Sequence, residues 1–173
     1  MAKRIFKTSV ALSAVVGLPA IAAGLDVTVT VPQLQVAEYH KPYVAVWLEK
    51  ADGSVAANLS VWYDVKLKNA EGTKWLKDMR QWWRRTGREL SFPVDGVTQP
   101  TKPVGTHALS FTEGKNPLPK LAAGQYKLMV EAAREVGGRE LVSIPFEWPA
   151  KQDSSLSATG KTELGVIKLN ITP

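Results

Sequence analysis

From Leu25 to Val31 (LDVTVTV) apolar and polar residues alternate without a break, the two-residue period of a strand that buries one face. Tyr43 to Glu49 (YVAVWLE) reads as a second strand, and Asp52-Gly53 as a tight turn that folds it against Val55–Tyr63. Gly124-Gln125-Tyr126 opens the long run YKLMVEAARE, which Gly137-Gly138 reverses into RELVSIPFEW, a second hairpin. Thr106–Phe111 and Glu163–Ile171 (ELGVIKLNI) add further strands, while Ser154 to Gly160 reads as a polar loop. No period of 20–50 residues recurs, which excludes solenoids and propellers.

One stretch departs from the period of two. Trp75, Leu76, Met79, Trp82 and Trp83 fall within about 120° of one face at helical spacing, with Lys74, Lys77, Gln81, Arg84 and Arg85 around the remainder. Thr73 is placed to cap the start and Gly87 to close the end in the left-handed conformation. The spacing predicts one amphipathic helix over 74–86, with Trp75, Met79 and Trp83 inward and Lys77, Arg84 and Arg88 outward. Six or more short strands and one inserted helix predict a mainly β fold, an immunoglobulin-like β-sandwich formed by a single domain over 23–173.

The first 22 residues change how the charge is read. Lys3, Arg4 and Lys7 precede an uncharged apolar run from Ser9 to Ile21, and Ala20-Ile21-Ala22 has the small-x-small pattern of a cleavage site. The run is short for a membrane span, so 1–22 reads as a cleaved signal peptide and the protein as periplasmic, not membrane-spanning after processing. The whole chain carries 22 Lys+Arg against 16 Asp+Glu. Removing a leader with three basic groups and no acid leaves 19 against 16, a net +3. That balance argues against nucleic acid as a partner. With no cysteine, the domain has neither a disulfide nor a thiolate nucleophile, and its stability rests on its core.

What charge remains is unevenly placed. Residues 74–88 hold six basic groups and one acid, Asp78, leaving 13 Lys+Arg against 15 Asp+Glu in the rest of the mature chain. Lys77, Arg80, Arg84 and Arg85 are therefore the candidate contact residues for an acidic protein partner. Other constellations are weaker. His40 and His107 are far apart and bring no third ligand at recognisable spacing, so no metal site is expected. G-x-S-x-G is absent. Glu131, Glu135 and Glu140 interleave with Arg134 and Arg139 around Gly137-Gly138, which reads as surface ion pairing across a hairpin rather than an acid/base pair. Asp95-Gly96-Val97-Thr98-Gln99-Pro100-Thr101 reads as a loop. No enzymatic activity is expected.

Several stretches together resemble a bacterial family of predicted periplasmic proteins, domain of unknown function 2271. They are PYVAVWLEKADG (42–53), KWLKDMRQWWRR (74–85), VDGVTQPT (94–101), AAGQYKLMVEAAREVGGREL (122–141), PFEW (145–148) and ELGVIKLNI (163–171). The resemblance spans nearly all of the mature chain, and it brings no catalytic residues with it. It implies association with extracytoplasmic flavin, iron-uptake or electron-transfer systems, since some similar domains are fused to FAD:protein FMN transferases. Those transferases act on a pattern like D-x-x-[ST]-G-A-[ST], which Asp95 to Thr101 resembles with Thr101 in the acceptor place. Here Gln99-Pro100 replaces Gly-Ala, and proline removes a backbone N–H where a small pair would allow close approach.

The leading expectation is a non-catalytic periplasmic accessory domain without a cofactor, binding a membrane-associated redox or transport protein. Its rivals are a carrier with FMN on Thr101, and a small-ligand or metal-binding protein using His40 or His107.

Overall fold

The computed structural model describes residues 23–173, so the leader assigned to 1–22 lies outside the described residues. The described chain is mainly β. Strands β1 (Gly24–Val31), β2 (Tyr43–Lys50) and β3 (Val55–Tyr63) are followed by a helical insert, then by the short β4 (Thr98–Pro100). β5 (Gly105–Thr112), β6 (Gly124–Ala133), β7 (Arg139–Trp148), β8 (Ser154–Thr159) and β9 (Val166–Thr172) complete the order. One sheet runs β5-β1-β9-β8 and the other β4-β3-β2-β6-β7. All pairings are antiparallel except β3 with β4.

The two sheets share one core. Leu25, Val27, Val29 and Val31 of β1 pack with Val44, Val46 and Leu48 of β2, Leu128 and Val130 of β6, and Ile167, Leu169 and Ile171 of β9. Burying each such aliphatic side chain contributes about 1.5–3 kcal/mol, so this layer dominates stability. On the four-stranded sheet the opposite face is wet: Asp26, Lys168 and Asn170 are exposed. That sheet therefore shows a clean alternation.

The five-stranded sheet is covered on both faces. Ala45 and Trp47 of β2, Val61 and Tyr63 of β3, and Met129 and Ala133 of β6 point away from the main core into a second apolar cluster with Leu76, Met79 and Trp82. On β3 the register against β2 jumps from Asn58 opposite Trp47 to Ser60 opposite Val46, leaving Leu59 unpaired. This bulge shifts the phase of the strand. Leu59 and Trp62 thereby both enter the main core, and Val61 and Tyr63 turn to the insert.

The turns conform to expectation at β2–β3 and differ at β6–β7. Gly53 has φ 80°, and the Asp52 carboxylate accepts from the Ser54 N–H (2.8 Å) and hydroxyl (2.7 Å). In the second hairpin the positive φ falls on Val136 (51°), not on a glycine. Gly137 and Gly138 serve close approach instead: a Cβ at Gly137 would lie 2.5 Å from Arg134 Cζ, and one at Gly138 2.7 Å from Glu163 Oε1.

Two segments read as loops are built into sheets. Ser154–Thr159 is β8, whose Leu156 pairs with Leu169 and whose Ala158 pairs with Ile167, both packing partly on the main core. Thr98–Pro100 is β4, in parallel register with Val61–Tyr63. Small polar residues carry little strand signal of their own, and here the neighbouring strand supplies the backbone partners.

The insert also departs from the single helix expected over 74–86. It is a 3-10 helical segment, Lys68–Asp78, interrupted by left-handed Asn69 (φ 52°) and Ala70 (φ 55°), then a short α-helix α1, Arg80–Arg85, then a 3-10 turn, Gly87–Glu89. Thr73 does not cap it; its hydroxyl donates to the Ala70 carbonyl at 2.7 Å. The fully buried residues Leu76, Met79 and Trp82 are three apart, so the buried stripe follows the 3-10 period. Trp75 is accordingly 47% exposed, and Trp83 is only half-buried.

Candidate functional site

The insert is held down by a carboxylate from the strand beneath it. Glu131, on the outer face of β6, is fully buried. Its oxygens accept the N–H of Gln81 (3.0 Å) and of Trp82 (2.7 Å), two amides in the first turn of α1, and Arg139 Nε donates to the same group. The reading of Glu131 as half of a surface ion pair is thus overturned. The insert covers it, and a buried charge persists there because it is paired and multiply hydrogen-bonded. Glu49 has a similar place under the insert, accepting from the Trp47 indole N–H at 3.0 Å, with Arg85 Nε 3.8 Å away. The Trp82 indole donates to Asn58 Oδ1 at 2.9 Å, and Asn58 donates to Thr86 Oγ1 at 3.0 Å. Gly87 is required by this packing rather than by a left-handed cap, since a Cβ there would meet the Trp82 ring at 2.6 Å.

With its apolar side pinned, the insert turns its basic side outward. Lys77, Arg80, Arg84 and Arg85 are all exposed, as expected. The structure divides them. Arg85 is partly neutralised by Glu49, whereas Lys77, Arg80 and Arg84 have no carboxylate within 4.0 Å among the described residues. Arg84 is oriented by bonds to the Arg80 carbonyl and Gln81 Oε1, each 3.2 Å.

At the end of β6 the same hairpin builds a second network. Arg134 and Glu163, with side chains 5% exposed, meet through Nε–Oε2 at 2.9 Å and Nη2–Oε1 at 3.2 Å, and the Gly138 N–H adds 2.8 Å to Oε1. Burial raises the Glu140 carboxyl pKa, but the backbone N–H groups of Lys161, Leu164, Thr162 and Glu163 outweigh it and hold that pKa below the ordinary value. These two acids tie the loop before β9 to the β6–β7 hairpin. Arg134 and Glu140 are therefore structural, and not members of a surface charge ladder.

Next to this network lies a pocket of about 550 Å³, between the insert, the connection from β1 to β2, and the end of β6. It brings together residues remote in sequence: Tyr39, His40, Tyr43, Trp75, Thr101 and Arg134 all line it. Thr101 is half-buried there, its N–H bonded to the Tyr63 carbonyl at 3.1 Å. Burial raises the pKa of Tyr39 and of Tyr43, with the charge of Arg134 opposing part of the shift at Tyr39. His40 lies between Glu38 (2.9 Å) and Glu135 (3.6 Å). His107 is placed elsewhere, edge-on to Trp62 with Nε2 2.8 Å from the Pro103 carbonyl. No group of three or more His, Cys, Asp or Glu suited to a metal occurs among the described residues. Nor, among them, is any helix long and apolar enough to cross a membrane.

A family model described as predicted periplasmic protein (DUF2271) matches residues 24–166. The chain belongs to that family, and its compartment is the periplasm. No curated protein and no solved structure matches the chain.

Proposed function

We propose that this periplasmic protein is a non-catalytic accessory domain, immunoglobulin-like in architecture and exported by the leader 1–22, that docks an acidic protein partner through its insert. One observation carries the reading: Lys77, Arg80 and Arg84 stand exposed and, among the described residues, without a carboxylate partner, on a segment whose other side is buried and bonded to Glu131. Rigid placement lowers the entropy lost on docking, and exposed like charges speed encounter with an acidic surface. A membrane-associated redox, flavin or iron-uptake component fits this role through family resemblance, and the protein itself needs no cofactor for it.

The test compares wild type with a Lys77→Glu, Arg80→Glu, Arg84→Glu variant in pull-downs from periplasm and solubilised membranes at two salt concentrations. A partner lost with the variant and weakened by salt supports the reading. Equal recovery by both proteins at both concentrations overturns it.

A second reading, a flavin carrier, draws support from the presence of Thr101 on the pocket wall. Against it, Gln99-Pro100 is part of β4 rather than of an open loop. Visible absorbance and the intact mass of protein taken from its native periplasm decide it. A colourless protein at the mass of the processed polypeptide removes the flavin reading.

A further inference from the structure

We infer that the pocket beside Arg134 is a binding site for a small organic anion, a carboxylate or phosphate monoester, received by Arg134 and the Tyr39 hydroxyl. The site shares no residue with the basic edge of the insert, so the inference stands apart from the docking reading.

Arg134 is 9% exposed, and its planar fork is only partly used. Nε and Nη2 face Glu163, whereas Nη1 is buried with no hydrogen-bond partner among the described residues. The Tyr39 hydroxyl, on the same pocket, is likewise buried and without a partner. A buried donor without an acceptor is costly, and native proteins hold only a few, each calling for an explanation such as a bound ligand. Both groups donate, so their common complement is an oxygen acceptor, and a guanidinium edge matches the oxygens of a carboxylate or phosphate. A tyrosine hydroxyl is protonated at neutral pH and can donate there, and burial raises the Tyr39 pKa further.

The rest of the pocket calls for an organic body on that anion. Its volume of about 550 Å³ suits a small molecule rather than a bare ion. Trp75, the exposed tryptophan of the insert, and Tyr43 supply apolar and aromatic surface on its walls. The three acids of the lining, Asp64, Asp78 and Glu135, are matched by Lys41, Lys66 and Arg134, so the walls carry no large excess of either sign to attract a polyanion. Since Glu163 already balances Arg134, recognition rests on directed hydrogen bonds more than on net charge. Tyr39 lies in the connection 32–42, which has no strand pairing, and that is the wall able to yield to an incoming oxygen.

The experiment is calorimetric titration of the mature protein with benzoate, phenyl phosphate, inorganic phosphate and neutral benzyl alcohol. Saturable binding of benzoate or phenyl phosphate, and which of them binds tighter, identifies the anion. Benzyl alcohol and inorganic phosphate should each bind at least about tenfold more weakly, the scale of one hydrogen bond to a charged group. Tyr39→Phe removes only the unpartnered oxygen and should weaken binding by a similar factor without lowering thermal stability. Trp75→Ala should weaken the aromatic anions and leave the fold intact, since the ring is half exposed. The Lys77/Arg80/Arg84→Glu variant should bind as wild type does. No saturable binding, or Tyr39→Phe equal to wild type, overturns the inference, as does inorganic phosphate binding as tightly as phenyl phosphate.

Discussion

The two faces of the five-stranded sheet are both buried, but by different means. On the inner face Val44, Val46, Leu48, Leu128 and Val130 meet the other sheet in a layer of aliphatic side chains. On the outer face Trp47, Met129 and Ala133 meet the insert beside two buried carboxylates, Glu49 and Glu131. The inner layer is held by non-directional burial, which tolerates substitutions of similar volume. The outer layer depends on directed bonds: two amides of α1 on Glu131, and two indoles on Glu49 and Asn58. Removing one partner there strands a buried charge or donor. The lesson is that β2 and β6 each serve two layers. Their inward residues join the two sheets, and their outward residues position the insert.

The largest effect that separates the layers is expected at Trp82. Trp82→Ala should cost about 3–5 kcal/mol, the usual range for truncating a buried large aromatic. If the layers are distinct, the loss should release the insert before the sheets unfold. Hydrogen exchange of the α1 amides would then accelerate at lower denaturant than that of the β1 and β9 amides. Coincident transitions at a lower midpoint would instead make the two layers one cooperative unit.

A smaller effect is expected at Gly87, where a methyl group would overlap the Trp82 ring. Gly87→Ala should destabilise by about 1–3 kcal/mol through overpacking, although alanine is the better helix former. Urea denaturation of the variant checks this. A gain in stability would show that the Trp82 ring has room to move.

How legible was this in the chain? The inner layer was, since LDVTVTV and YVAVWLE display their alternation and Asp52-Gly53 marks the turn. β8 was not: in SSLSAT only Ser154, Leu156 and Ala158 are partly buried, none fully and one of them polar, so its pattern is faint. The insert was half legible. Its amphipathic character and its basic edge at Lys77, Arg80 and Arg84 held. The orientation of Trp75 did not, because the buried residues Leu76, Met79 and Trp82 recur every three residues rather than every 3.6. The alternation along β6 puts Glu131 on the face away from Leu128 and Val130, but nothing local to β6 shows that a segment 50 residues upstream covers that face. The pocket was illegible for the same reason. Tyr39, Trp75, Thr101 and Arg134 meet only through the sheet topology.

The mildest expected effect concerns Glu140. Its pKa is depressed in the folded protein, so it contributes stability that is present above the ordinary glutamate value of 4.5 and is lost as pH falls through the folded value. The Glu140→Gln variant should therefore lose stability at neutral pH and show a shallower decline than wild type on acidification below that value. Thermal unfolding across pH 3 to 7 (roughly the window set by a depressed carboxylate) measures it. Parallel curves for the two proteins would assign the acid sensitivity to other carboxylates. The comparison with the outer layer is then direct, since Glu140 ties down a loop and not the insert.

The most direct test of the account is amide hydrogen exchange, residue by residue, in wild type and Glu131→Gln. In wild type the amides of Gln81 and Trp82 should be protected, because each donates to a buried carboxylate rather than to water. In the variant their protection should fall sharply, while the amides of β1 and β9 keep theirs. If Gln81 and Trp82 remain protected, or if protection falls equally in β1 and β9, Glu131 does not hold the insert in place and the division into two layers is wrong.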